Sequence, residues 1–205
     1  MTELFISAFA TLFVVIDPLA CAPIFAGLTR ESPKRDQRMM ALRSVAVAAG
    51  ILVFFALLGE ALLERLGIGL PAFQIAGGIM LFLIALEMVF ARTRRESRPR
   101  EEEALPAEDI SVFPMGMPMI AGPGSIASVM LLVGRSNGLG QTLVVFAALA
   151  SILLLTVLAL LAAGPLVRLL GERIEAMLTR LLGVILAALA AQFVIDGINS
   201  AINLR

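Results

Sequence analysis

Six apolar runs of about twenty residues dominate the chain, the length a helix needs to cross the hydrocarbon core of a bilayer. They fall near residues 3–28, 39–59, 70–91, 110–134, 141–163 and 180–203. In lipid every backbone N–H and C=O must be satisfied within the protein, so such runs read as an all-α bundle. Composition agrees: 60% of the 205 residues are hydrophobic and 16% charged, against about a quarter charged in a soluble domain. That excludes an ordinary cytosolic enzyme. The net charge of +0 supplies no basic field for nucleic acid. There is no His, and the single Cys21 can form neither an internal disulfide nor a cysteine-based metal site. No catalytic set, metal or cofactor is indicated, and the chain reads as a non-enzyme.

Lys and Arg set the orientation. Thirteen of the sixteen fall in the first, third and fifth loops, and only Arg65, Arg135 and Arg205 lie on the other side. The positive-inside rule then puts the odd loops in the cytoplasm and both termini outside, in a bacterial-type inner membrane. Met1-Thr2-Glu3 lacks the basic region of a cleaved signal peptide, so the first run is kept as a span. Residues 92–109, with Arg98-Pro99-Arg100 followed by three Glu, read as a charged cytoplasmic linker between residues 1–91 and 110–205.

An offset of 105 residues, without a gap, aligns the two halves. Pro18 falls on Pro123, Ala22 on Ala127, Arg30 on Arg135, Gly59 on Gly164 and Gly78 on Gly183; Leu81 and Ala85 fall on Leu186 and Ala190. With three spans in each half, the second must enter the membrane from the opposite face. The expected fold is therefore six transmembrane helices in two inverted three-helix repeats.

The repeat pairs the two most disruptive segments. Asp17-Pro18 and Gly122-Pro123-Gly124 lie near the middle of the first and fourth spans. Proline inside a helix removes a donor and costs about 3 kcal/mol, so both helices should break at mid-membrane and face the bundle interior. Asp17 before Pro18 has the order of an N-cap and a first-turn proline, and Gly122-Pro123 is the same arrangement. Two half-helix N-termini would approach from opposite faces, each suited to a carboxylate. Gly122 and Gly124 would admit a ligand to the backbone, with hydroxyls from Ser125 and Ser128. Asp17 would take an ammonium. A small zwitterion matches both ends; the alternative is that Asp17 serves only as a cap and the Pro/Gly pairs serve close packing.

Glu87 and Gln192 are partners in the same repeat and read as gates, as a proton-linked acid, or as interfacial residues. Asp196, Asn199 and Asn203 read as an interface-facing edge, and Ser7 and Thr11 as a possible lining of the first span. Gly183, Ala187 and Ala191 form a small-residue stripe for close helix contact, inside one bundle or between copies in a homo-oligomer.

Asp17-Pro18-Leu19 with Pro23-Ile24-Phe25, Ile75-Ala76-Gly77-Gly78, Ala121-Gly122-Pro123-Gly124-Ser125-Ile126-Ala127, and Arg180-Leu181-Leu182-Gly183 through Gln192-Phe193 to Gly197-Ile198 together resemble the MarC family. The resemblance covers nearly the whole chain outside the 92–109 loop. It implies six spans and a transport function, because the family is grouped with small neutral amino acid transporters and the lysine-exporter superfamily. Its antibiotic-resistance name does not define a role. The chain departs from relatives that carry Gly-Asn where it has Ala20-Cys21, and some relatives have Asn at the position of Asp17. A more distant class moves electrons through paired cysteines in the broken spans. Here the repeat partner of Cys21 is Ile126, and one thiol cannot cycle a disulfide.

The expected function is a secondary transporter or exporter of small neutral amino acids or related metabolites. One repeat would rock against the other, with H⁺ or Na⁺ as the coupling ion. Asp17, Pro18, Gly122, Pro123, Gly124 and Ser125 would bind the solute. The alternative is a non-transporting membrane scaffold or stress-related accessory protein.

Overall fold

Asp17 ends one helix and begins the next. In the computed structural model, α1 (Thr2–Ile16) and α2 (Pro18–Leu28) meet at Asp17, whose φ of 47° and ψ of 71° are left-handed. The structure describes residues 1–30, 32–90 and 110–203, without the side chains of residues 167–173, 175 and 203. The linker expected over 92–109 lies outside the described residues, as do Arg205 and the side chains of Arg168, Arg173 and Asn203. After α2 come α3 (Lys34–Arg65), α4 (Leu70–Phe90), α5 (Ser111–Ile120), α6 (Pro123–Gly134), α7 (Leu139–Leu161) and α8 (Ala163–Asn203). Among the described residues there is no strand.

Five segments are long and apolar enough to cross a membrane: Thr2–Leu28, Lys34–Arg65, Leu70–Phe90, Leu139–Leu161 and Ala176–Ile202. The α5–α6 pair, bent by 54°, makes a sixth if it is one span. Only 22–39% of the residues in the apolar windows of those five are buried, so most of each helix turns its side chains outward. Leu57, Leu83, Leu154 and Leu181 are all more than half exposed, a surface that suits lipid and not water.

Two parts of the span reading need correction. The fourth span is not a helix broken once, because α5 is irregularly wound, with extended backbone at Phe113 and Met117. Each of these residues precedes a proline, Pro114 and Pro118, whose ring disfavours helical backbone at the residue before it. The fifth loop is not a loop. α8 begins at Ala163, one residue after α7 is capped at Ala162, and its backbone stays helical through the stretch expected to be cytoplasmic. Residues 166–180 are mostly Leu, Arg, Glu, Ala and Met, good helix formers, with no proline, so the helix runs on through the single Gly171.

The interior is built around α6. Gly124 to Leu131 are buried without interruption, so this short helix is enclosed by the rest. α1 packs on α7 and α5 on α3, α3 on α6 and α2 on α7, and α2 on α8 and α6 on α4. The most extensive interface joins α4 to α8. A Cβ at Gly78 would lie 2.8 Å from the Ala190 carbonyl oxygen, one at Gly183 2.9 Å from Met88 Cβ, and one at Gly197 3.0 Å from the Pro71 carbonyl oxygen. The two helices therefore run antiparallel with their backbones in near contact. Gly183 of the small-residue stripe packs inside the bundle, whereas Ala191 is exposed.

Candidate functional site at two helix breaks

At the first break the backbone is closed by its own groups. The Asp17 N–H donates to the Phe13 carbonyl at 3.0 Å to finish α1, and the Cys21 N–H donates to the Asp17 carbonyl at 3.1 Å to start α2. Asp17 Oδ1 accepts from the Ala20 N–H at 3.1 Å, the capping role that the Asp-Pro order predicts. The second carboxylate oxygen is different. Oδ2 is buried without a partner of full hydrogen-bond geometry, on a residue only 6% exposed, and the Leu19 N–H also faces the carboxylate. A buried polar atom with no partner is rare enough to require a reason. Pro23, inside α2, also removes the donor that would serve the Leu19 carbonyl.

At the second break Gly122 is the extended N-cap of α6 and Pro123 occupies the first turn, as expected. Ser125 is buried, and Ser128 Oγ donates to the Gly124 carbonyl at 2.8 Å, so that hydroxyl proton is already engaged. The glycines serve the chain itself. A Cβ at Gly122 would meet the Pro118 carbonyl oxygen at 2.5 Å, and a Cβ at Gly124 would overlap Leu81 Cδ2. The room read from the sequence as ligand access is filled by Leu81, an α4 side chain that apolar periodicity alone does not direct there.

Leu81 belongs to a small buried cluster with Ala85, Leu186 and Ala190, against which Val14 and Val15 of α1 also pack. Ile16, Cys21 and Ala22 share the larger core with Ile120, Ala121 and Ile126. The two breaks thus sit in one continuous interior, with Leu81 over the second.

Sequence reading missed Gln74. It is 3% exposed on α4, and its Nε2 is buried with no partner. The helices α4 and α6 are antiparallel here, since Leu70 faces Gly134, Gly77 faces Ala127 and Leu81 faces Gly124. Gln74 therefore lies two turns, about 10 Å, along α4 from Leu81. The available signal was a polar side chain within an apolar run, the signal that also singles out the carboxyl of Glu87.

Other polar residues lie elsewhere. Glu87 and Gln192 are both exposed. Gln192 Nε2 donates to Asp196 Oδ1 at 2.7 Å, and Asp196 Oδ2 is 3.0 Å from Arg135, a chain that ties α8 to the C-terminal end of α6. Ser7 and Asn199 are exposed, and Thr11 is half-buried.

Chemically, the interior offers an unpaired acceptor at Asp17, an unpaired donor at Gln74, and the positive ends of α2 and α6. Among the described residues no group of three His, Cys, Asp or Glu could hold a metal ion.

Comparison with known proteins places this architecture. Residues 2–202 match the family described as MarC family integral membrane protein. A UPF0056 membrane protein of Methanocaldococcus jannaschii is 37% identical over 201 residues, covering 98% of each chain. A UPF0056 membrane protein of Aquifex aeolicus is 37% identical over 204 residues, covering 98% of this chain and 94% of that one. The UPF0056 inner membrane protein YhgN of Escherichia coli K12 is 34% identical over 199 residues, covering 95% of each. No solved structure matches. With five or six helices fit to span a bilayer and a family match over nearly its whole length, the chain belongs to the MarC family of integral membrane proteins.

Proposed function

We propose that the chain is a secondary transporter of small neutral amino acids or related zwitterionic metabolites, working by alternating access. The observation that carries this reading is the unpartnered Asp17 Oδ2, buried where α1 gives way to α2. A carboxylate oxygen held there by a capped backbone is a receptor for an ammonium group. The solute carboxylate would take the N-terminal end of α6 and Ser125 once Leu81 moves aside, with the Gln74 amide as a further donor. A scaffold or accessory role leaves both orphaned atoms without a reason. The coupling ion in this reading is H⁺ or Na⁺.

The same reading takes residues 1–91 and 110–205 as two inverted repeats joined by the 92–109 linker, and the order and packing of the helices support it. Helix starts recur 105 residues apart, at Pro18 and Pro123 and at Lys34 and Leu139. The packing pairs exchange under the same correspondence: α1 on α7 becomes α5 on α3, and α2 on α8 becomes α6 on α4. The cluster of Leu81, Ala85, Leu186 and Ala190 consists of two such pairs.

Counterflow in proteoliposomes with labelled glycine, alanine and serine tests the function. The purified chain exchanges at least one of them above protein-free vesicles, and no exchange of any of the three removes the proposal. Gln74→Met replaces the orphan amide with an apolar chain of similar length, so it keeps the fold and lowers exchange about tenfold. Orientation is tested separately, with both termini proposed outside. A cysteine from Asn137→Cys should react with an impermeant maleimide in intact cells and one from Arg35→Cys only after lysis; the reverse pattern inverts the topology.

A further inference from the structure

A cleft of about 470 Å³ opens between the end of α2, the start of α3 and the α7–α8 junction, within the range of small-ligand pockets. Phe25, Ala26, Leu160 and Leu161 form its apolar wall. Arg30, Lys34 and Arg38 line its polar side beside Thr29 and Gln37, and among the described residues no acid lines it. None of the three cations pairs with a described side chain.

General enrichment of cations on this side does not account for the arrangement. Arg35 and Arg43 lie on the same helix and do not line the cleft. Lys34, Gln37 and Arg38 converge because steps of three and four residues share one helix face. The turn that carries them is fixed: Gln37 Nε2 donates to the Thr29 carbonyl at 2.8 Å and to the Ser32 carbonyl at 3.0 Å. Thr29 Oγ1 in turn donates to the Phe25 carbonyl at 2.8 Å. The N-terminal turns of α3, at Lys34, and α8, at Ala163, open on the same space and add positive potential to that of the cations. At the equivalent positions 105 residues on, Lys34 and Arg38 become Leu139 and Leu143, while the counterpart of Arg30 is Arg135, already paired with Asp196. The cationic cleft is a property of one end only.

We propose that this cleft binds the phosphate of an anionic phospholipid, with the adjoining glycerol and acyl segment against Ala26 and Leu161. A basic pocket between spans at one membrane face suits a charged headgroup, and Leu161, 44% exposed at the rim, continues the apolar path. Native mass spectrometry after reconstitution in phosphatidylcholine, with or without phosphatidylglycerol, is the test. The wild type retains phosphatidylglycerol through detergent exchange and does not retain phosphatidylcholine. Each cleft cation that meets the phosphate contributes about fivefold in affinity, so Lys34→Gln weakens retention about fivefold and the Arg30→Gln/Lys34→Gln/Arg38→Gln variant about a hundredfold. Arg35→Gln/Arg65→Gln, outside the cleft, leaves retention unchanged. Equal retention by the wild type and both cleft variants overturns the proposal. So does equal retention of the two lipids, or displacement of the lipid by millimolar inorganic phosphate, which would make the ligand a free anion.

Discussion

Asp17→Asn lowers solute exchange on the order of a hundredfold while leaving the thermal stability of the purified protein unchanged. The substitution is mild for the backbone. Asn is among the few residues that adopt a left-handed conformation readily, as the φ of 47° requires, and its Oδ1 can still accept the Ala20 N–H. Only the second oxygen changes, from an unpartnered acceptor to an amide donor. Losing a charge-assisted contact to a buried ammonium costs about 2–5 kcal/mol, which sets the size of the loss. Counterflow on the two proteins at equal reconstitution decides the matter. Equal exchange would mean that the carboxylate only caps α2. Asp17→Ala is a poorer probe, because it removes the cap, worth about 1 kcal/mol, and strains a left-handed position.

Gly78→Leu and Gly183→Leu are expected to have the largest effect on stability. At Gly78 a Cβ would meet the Ala190 carbonyl oxygen at 2.8 Å; at Gly183 it would meet Met88 Cβ at 2.9 Å and the Ala85 carbonyl oxygen at 3.2 Å. Backbone cannot rotate away as the end of a side chain can. Overpacking costs about 1–3 kcal/mol, so each substitution lowers the melting temperature in detergent by up to about 10 °C. Gly50→Leu is the control, since nothing lies within 4 Å of a Cβ there. Gly59→Ala is an intermediate case because its neighbour is the flexible Met130 side chain. If Gly78→Leu and Gly50→Leu melt together, the close approach of α4 and α8 does not bear on stability.

Much of the helical layout was legible because hydropathy and proline act locally. The breaks at Asp17-Pro18 and Gly122-Pro123 follow from a missing donor and a fixed ring, which need no knowledge of the partner helices. The winding of α5 was legible in principle from Pro114 and Pro118, yet a sliding apolar window is blind to it. The helical course of residues 164–179 was obscured by their charge, which marks orientation more strongly than conformation. The site was harder to read because its character depends on long-range packing. Nothing local says that Leu81 covers Gly124, or that the Gln74 amide is left without a partner while Gln192 finds Asp196.

The glycine-tight interface between α4 and α8 limits which parts can move. These helices come from opposite halves of the chain, and their backbones touch at Gly78, Gly183 and Gly197. Any displacement that separates the halves as two bodies would have to unpack all three contacts at once. In the proposed transport cycle, movement would instead have to come from the segments on either side of the breaks, with α6, enclosed and held against α4 at Gly77 and Gly124, the most constrained of them. In such a cycle Asp17 and Gly122 would be hinges as well as helix ends, and the α4–α8 pair the fixed axle between them.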